Sequence, residues 1–199
     1  MSHAKVSDRV HWIRDPAQVG ALASRVRQRI VDRLEAVGPA SVAELARSLS
    51  VAPDRLYYHV KLLTRRGLLR AAGTRGEGRA REELFDLIAR RWHLRYDPAD
   101  AALVEAINKL TRTMLRQAER DFEAGWQAED VRVAGPLRDL WSLRLEATLT
   151  RTQLRELGEH LQAIVALLRQ PERASHGRHV ALTWVLAPVT RASEEEDDP

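Results

Sequence analysis

Residues 53–66 read PDRLYYHVKLLTRR, and their types and spacing suggest binding chemistry. Leu56, Val60 and Leu63 recur at the interval of one helix face. The opposite face carries Asp54, Arg55, Tyr58, Lys61 and Arg65, with Tyr57 on its flank. Cations held on a helix pair with phosphates, and side-chain donors and tyrosine rings reach base edges and methyl groups. A flat, polar, negatively charged partner fits this surface, and double-stranded DNA is the first candidate. A second group of cations, Arg75, Arg79 and Arg81, lies at or just after the glycine-rich run GTRGEG.

Other chemistry finds little support. GTRGEGR lacks the lysine and hydroxyl neighbour of a phosphate-binding loop, and there is no serine nucleophile elbow and no two-histidine zinc helix. Glu82-Glu83 and Glu194-Glu195-Glu196 are adjacent carboxylates that nothing converges on a substrate. His176 and His179 have a metal-like spacing, but a ligand set would need more than two histidines in a loop. The chain contains no cysteine, which excludes thiolate metal sites, disulfides and cysteine catalysis. The sequence therefore reads as a non-enzyme with no cofactor and no metal.

The elements that must position these residues are legible from the periodicity. A polar arm (1–14) lacks an apolar signal core, and no apolar run approaches a membrane span, so the expected location is cytoplasmic. Val19, Leu22, Val26, Ile30 and Leu34 predict one helix from Asp15-Pro16 to Gly38-Pro39. Ser41-Val-Ala-Glu44 is a capping box opening a short helix, and Ser50-Val51-Ala52 turns the chain into the helix that Pro53 begins. After Gly67, residues 68–72 and 79–88 predict a hairpin with an arginine-bearing tip. Residues 15–90 thus predict a winged helix-turn-helix.

Residues 90–98 read as a connection to a second half, 96–190. There Leu103, Ile107, Leu110, Met114 and Phe122 continue to Trp126 along one long helix, and the first four alternate steps of four and three as a helix-pairing seam does. They are the expected dimer interface. Residues 140–149 and 180–186 alternate like strands, separated by a helix that a second capping box, Thr150 to Gln153, opens. Trp141 and Trp184 lie in these two stretches; they pack in a core or dimer contact, or line an effector pocket. The last residues, 191–199, form an acidic tail expected to be disordered. The fold class is mainly α with a small β content: an N-terminal winged helix-turn-helix and a C-terminal α/β half for dimerisation or sensing.

Charge follows the same division. Residues 1–95 carry 19 Lys+Arg and 10 Asp+Glu, a net +9, and residues 96–199 carry 13 and 18, a net −5. A basic N-terminal half suits phosphate backbones, although arginine-rich, alanine-rich composition also arises without any nucleic-acid role.

The run SVAELARSLSVAPDRLYYHVKLLTRRGLL, with DPAQVGALASRVRQRIVDRL before it, resembles the ArsR-like winged-helix transcriptional regulators over residues 15–90. The resemblance implies a homodimer of bacterial type, acting more often as a repressor, that places two recognition helices in successive major grooves. It implies base reading by Asp54, Arg55, Tyr57 and Tyr58. His59 and Lys61 would sit at the groove edge or backbone, with Arg65 on the same face. Arg75 would enter the minor groove, Arg79 and Arg81 would touch phosphates, and the Ser41 end of its helix would face a phosphate. His59 borders the apolar stripe, so it either packs beneath the wing or contacts DNA directly. Two departures stand out: Ser50 where relatives often have glycine, and Ala52 where a serine or threonine cap is usual, a loss of about 1 kcal/mol.

Overall fold

The computed structural model describes residues 7–169 and 178–189, without the side chains of residues 7–9 and of Arg79. The chain divides into two units, residues 1–119 with 183–199, and residues 120–182. The acidic tail and His176 lie outside the described residues.

In the first unit, the helix-turn-helix forms where the capping signals place it. Ser41 Oγ accepts from the Glu44 N–H at 3.2 Å, and the Glu44 carboxylate accepts from the Ser41 N–H at 2.8 Å. This box starts α3 in the numbering used here, Val42–Leu49. Pro53, whose missing N–H is no loss at a first helical position, starts α4, Pro53–Arg65. Ahead of them, the single predicted helix is two: α1, Pro16–Leu22, and α2, Arg25–Val37. The apolar stripe runs through both, but the chain breaks at Ala23-Ser24, where Ser24 is extended. The break is sealed by Arg27, whose Nε donates to the Ala21 carbonyl at the end of α1.

Side chains reach the carbonyls at other helix ends in the same way. Arg29 Nη2 donates to Leu49 O of α3 at 3.0 Å, Arg90 Nη1 to Leu34 O of α2 at 2.8 Å, and Gln18 Nε2 to Arg66 O beyond α4 at 2.8 Å. Beneath these caps, Val19, Ile30, Leu34, Leu45, Leu56, Val60 and Leu63 are buried in one core. Each such side chain contributes about 1.5–3 kcal/mol by leaving water.

A three-stranded antiparallel sheet completes the winged helix. Its strands are β2 (Ala40–Ser41), β3 (Leu69–Arg75) and β4 (Glu82–Leu87), in the order β2-β4-β3. The β3–β4 hairpin is the wing. At its tip Gly76 has φ +81°, and a Cβ there would run into the Ala80 carbonyl, so glycine is required. Asp86 is buried on β4, where it accepts from Arg90 Nη2 at 2.9 Å and from the Leu87 N–H at 2.8 Å.

Two segments differ from the sequence expectation. Within the polar arm, Ser7–Ile13 is a strand, β1, and within the supposed connection Ala89–Leu94 is another, β5; the two pair in parallel. Their aromatic and β-branched residues, Val10, Trp12 and Trp92, were the available signal. The long helix α5, Ala101–Gly125, begins close to where its periodicity placed it. Leu103, Ile107 and Leu110 belong to the core of this unit.

The second unit contains the end of α5 and α6, Arg151–Leu168. Phe122 and Trp126 meet edge to face with centroids 5.8 Å apart. Thr150 and Gln153 form the expected capping box. Arg178 pairs with Asp130, and with Asp139 at 3.0 Å. The strands expected over 140–149 and 180–186 do not form: among the described residues neither stretch joins a sheet. A strand needs a neighbouring strand for its backbone, and among the described residues no strand pairs with either stretch.

Candidate nucleic-acid interface

The structure brings the residues of α4 together as one surface. Leu56, Val60 and Leu63 are each at most 1% exposed, which fixes the rotation of the helix about its axis. The opposite face therefore turns outward, with Asp54, Arg55, Lys61 and Arg65 exposed and Tyr57 and Tyr58 62% and 60% exposed. From Asp54 to Arg65 this face spans about 16 Å at 1.5 Å per residue, a length that lies well in a major groove about 12 Å wide. Arg55, Lys61, Arg65 and the following Arg66 outweigh Asp54, so the face is cationic.

The turn that aims this helix carries the two departures seen in the sequence. Ser50 takes the left-handed conformation, φ 53° and ψ 46°, the one non-glycine residue with positive φ among those described. Ala52 caps α4 with no side-chain hydrogen bond. The first N–H groups of α4 thus remain open to an outside acceptor.

His59 is only partly exposed. Its Nδ1 lies 3.4 Å from Arg27 Nη1 and its ring meets Tyr58 edge to face. Burial, and then the charge of Arg27, lower its pKa below the ordinary imidazole value. Burial also lowers the Arg27 pKa, with Tyr58 opposing. His59 is placed against α2, supporting Tyr58 from the side.

Ser41 is not a surface residue. It is 2% exposed, its hydroxyl is engaged in the cap, and the Glu44 carboxylate occupies the helix start where a phosphate was expected. The Ser41 N–H, and then Arg75, hold the Glu44 carboxyl below its ordinary pKa, so a negative charge stands there.

On the wing, Arg75 Nη1 bonds Glu44 Oε1 at 2.5 Å, which ties the hairpin back to α3. Arg81 is exposed, and the Arg79 side chain lies outside what is described. Glu77, Glu82 and Glu83 are exposed on the same hairpin, so its acidic residues match Arg75, Arg79 and Arg81 in number. The wing is a weaker electrostatic feature than its arginines alone implied.

The other sequence candidates are placed as follows. Leu103, Ile107 and Leu110, expected at a dimer contact, are buried in the chain's own core, and Met114 packs against it. Their apolar side chains are already covered within the chain itself. Phe122 is half-buried against Trp126. Trp141 is 61% exposed with the Arg138 guanidinium 3.2 Å from its ring centroid, and Trp184 is 40% exposed. Neither fills a core. Among the described residues, no group of three or more histidines or carboxylates is placed to hold a metal, and no helix is long and apolar enough to cross a membrane.

Residues 22–71 match the family described as a helix-turn-helix domain, which covers α2, α3, α4 and the start of the wing. No curated protein matches the chain. Solved structures with some similarity include reduced HlyU from Vibrio cholerae, 24% identical over 47% of this chain and 84% of that one, with a TM-score of 0.30. A transcriptional regulator homologue from Pyrococcus horikoshii is 18% identical over 50% and 85%, with a TM-score of 0.31. RV1404 from Mycobacterium tuberculosis is 15% identical over 79% and 86%, also at 0.31. Scores this low mark partial superpositions only. The N-terminal part of the chain is a helix-turn-helix domain with a wing, in a mainly helical protein.

Proposed function

We propose that the chain is a sequence-specific DNA-binding regulator of transcription, acting as a homodimer and, by its ArsR-like resemblance, as a repressor. The observation that carries this reading is the outward face of α4. Two exposed tyrosines and a row of cations lie on a helix whose rotation the buried Leu56, Val60 and Leu63 fix. Such a face enters the major groove, where Arg55 can contact a guanine edge in bidentate fashion and a tyrosine a thymine methyl or a phosphate. Asp54, Arg55, Tyr57 and Tyr58 read bases in this scheme, and Lys61 and Arg65 hold the backbone. Arg75, Arg79 and Arg81 are secondary contacts. Repression follows from occupancy of a promoter, and a cytoplasmic location goes with that role. A small hydrophobic effector at Trp141 or Trp184 would act by shifting the two recognition helices.

A second reading, a winged helix that binds protein without reading DNA, draws support from the charge-balanced wing and the Arg75–Glu44 pair. Selection of genomic fragments by the purified protein, at low and at physiological salt, separates the two. Base readout retains a few fragments bearing a two-fold repeat when salt rises, whereas phosphate binding alone fades. Lys61→Ala is expected to weaken all sequences alike and to lower the salt slope by about 1, and Tyr58→Ala to weaken the selected fragment by at least 1 kcal/mol or so. Unchanged binding in both variants would favour the protein-interaction reading.

A further inference from the structure

The outward face of the β1–β5 pair combines an aromatic ring with cations. The register sets Val10 beside Arg91 and Trp12 beside His93. Successive side chains of a strand turn to opposite faces. Ile13, Trp92 and Leu94 turn inward, where Ile13 is 1% exposed and the other two pack against the core. The alternate face is therefore held outward, with Trp12 50% exposed and Arg91 exposed beside Val10. Trp12 meets His93 edge to face with centroids 5.3 Å apart, which braces the indole on one side. The Arg95 N–H donates to the Ile13 carbonyl at 3.0 Å and carries the ladder one residue further. Arg14 and Arg95 are exposed at that end. Asp97 lies 4.0 Å from Arg95, a weak pair that leaves the face cationic.

We propose that this face binds single-stranded nucleic acid, with one base stacked on Trp12 and the neighbouring phosphates on Arg14, Arg91 and Arg95. An open indole among guanidiniums offers both a π face and positive charge. A duplex uses only the charge, because its bases are already stacked and paired, whereas an unpaired base uses both. The spacing suits a strand. From Arg91 to Arg95 the backbone of β5 covers about 13 Å at 3.3 Å per residue. Trp12 stands beside His93, the midpoint of that span, so cations lie on both sides of the indole along the strand. A stacked nucleotide needs this arrangement, since phosphates leave its sugar in both chain directions. The site uses no residue of α4 and stands apart from duplex reading by that helix.

The test uses the full chain at low salt, with a labelled thymidine oligonucleotide of about twelve residues as the probe. Anisotropy gives its affinity, and quenching of tryptophan emission reports stacking. The native chain is expected to bind with quenching. Trp12→Ala should bind about tenfold more weakly with most of the quenching lost, and Trp12→Phe, which keeps a ring, should retain most of the affinity. Arg91→Gln should reduce the slope of log affinity against log salt by about 0.7, the share of one phosphate contact on a single strand. No binding of the oligonucleotide, or binding that Trp12→Ala leaves unchanged, overturns the proposal. ATP binding as tightly as the oligonucleotide also overturns it, by making the ligand a free nucleotide. So does a dimer by light scattering that Trp12→Ala converts to a monomer, since the face is then a contact between copies. A chain that binds the oligonucleotide through Trp12 yet selects no genomic fragment would sink the regulatory reading and leave this one standing.

Discussion

Removing Arg90 should unsettle the winged helix far more than removing any other arginine of similar exposure. Its guanidinium spans two partners: Nη2 reaches both Asp86 oxygens, at 2.9 and 3.1 Å, and Nη1 reaches the Leu34 carbonyl at 2.8 Å. The Asp86 side chain is 2% exposed and that of Arg90 29%. Arg90→Met keeps the stem but leaves a buried carboxylate with only the Leu87 N–H, and breaking a buried pair from one side costs about 3–5 kcal/mol. The Leu34 carbonyl still accepts from the Gly38 N–H at 2.9 Å, so loss of its Arg90 bond adds little to that range. Arg90→Lys has a single point of charge, cannot span both partners and should lose about half as much. Asp86→Leu with Arg90→Met removes both charges. It should cost clearly less than the sum of the single changes, with a coupling of about 2 kcal/mol or more. Urea unfolding followed by the fluorescence of Trp12 and Trp92, which lie in this unit, reads each value as a shift in midpoint. A loss below about 1 kcal/mol for Arg90→Met, or strict additivity in the double variant, would refute the assignment of these bonds as structural.

Other consequences are smaller and opposite in sign. Ser50→Gly relieves a left-handed residue that costs about 1–2 kcal/mol, against about 0.5–1 kcal/mol for glycine's extra freedom in the unfolded chain. A net gain of about 0.5 kcal/mol is expected in the same urea assay. Ala52→Ser supplies the missing cap of α4 and should add about 1 kcal/mol, seen as a higher midpoint of thermal unfolding. His59 has a folded-state pKa below its unfolded value, because burial and Arg27 disfavour the imidazolium. Its contribution is therefore present above about pH 6.5 and is lost as the pH falls through the folded-state value. His59→Gln should flatten this part of the stability–pH profile, and an unchanged slope would count against the placement beside Arg27.

The helix-turn-helix was legible because its signals are local. The Ser41–Glu44 box, Pro53 and the Leu56, Val60, Leu63 stripe each act within one or two turns, and together they fix which side of α4 faces outward. What escaped the sequence was long in range. Only Ser24, a common N-cap type, marks the break between α1 and α2, since the stripe continues across it and the closing group, Arg27, looks like any other cation. Arg29 and Arg90 likewise serve helix ends, so the basic count of residues 1–95 overstates the charge free for phosphates. β1 and β5 were read as arm and connection because each strand is short and its partner is distant. Leu103, Ile107 and Leu110 show the limit of a periodic stripe: it reports that a face is covered and says nothing of what covers it. The strand-like alternation over 140–149 has the same ambiguity, with its pattern present and no paired strand among the described residues.

The parallel pairing of β1 with β5 has a kinetic consequence. Ser7 meets Ala89 and Ile13 meets Leu94, so the pair closes a loop containing α1 to α4 and the whole wing. Closing so long a loop early would cost entropy before any of the intervening contacts could repay it. The helices and the wing, built from neighbours in sequence, are expected to form first. On the ribosome β1 would emerge before β5 and wait, its edge unpaired, until residue 94 is free to pair. β1 is then sealed in place after α1 to α4 and the wing.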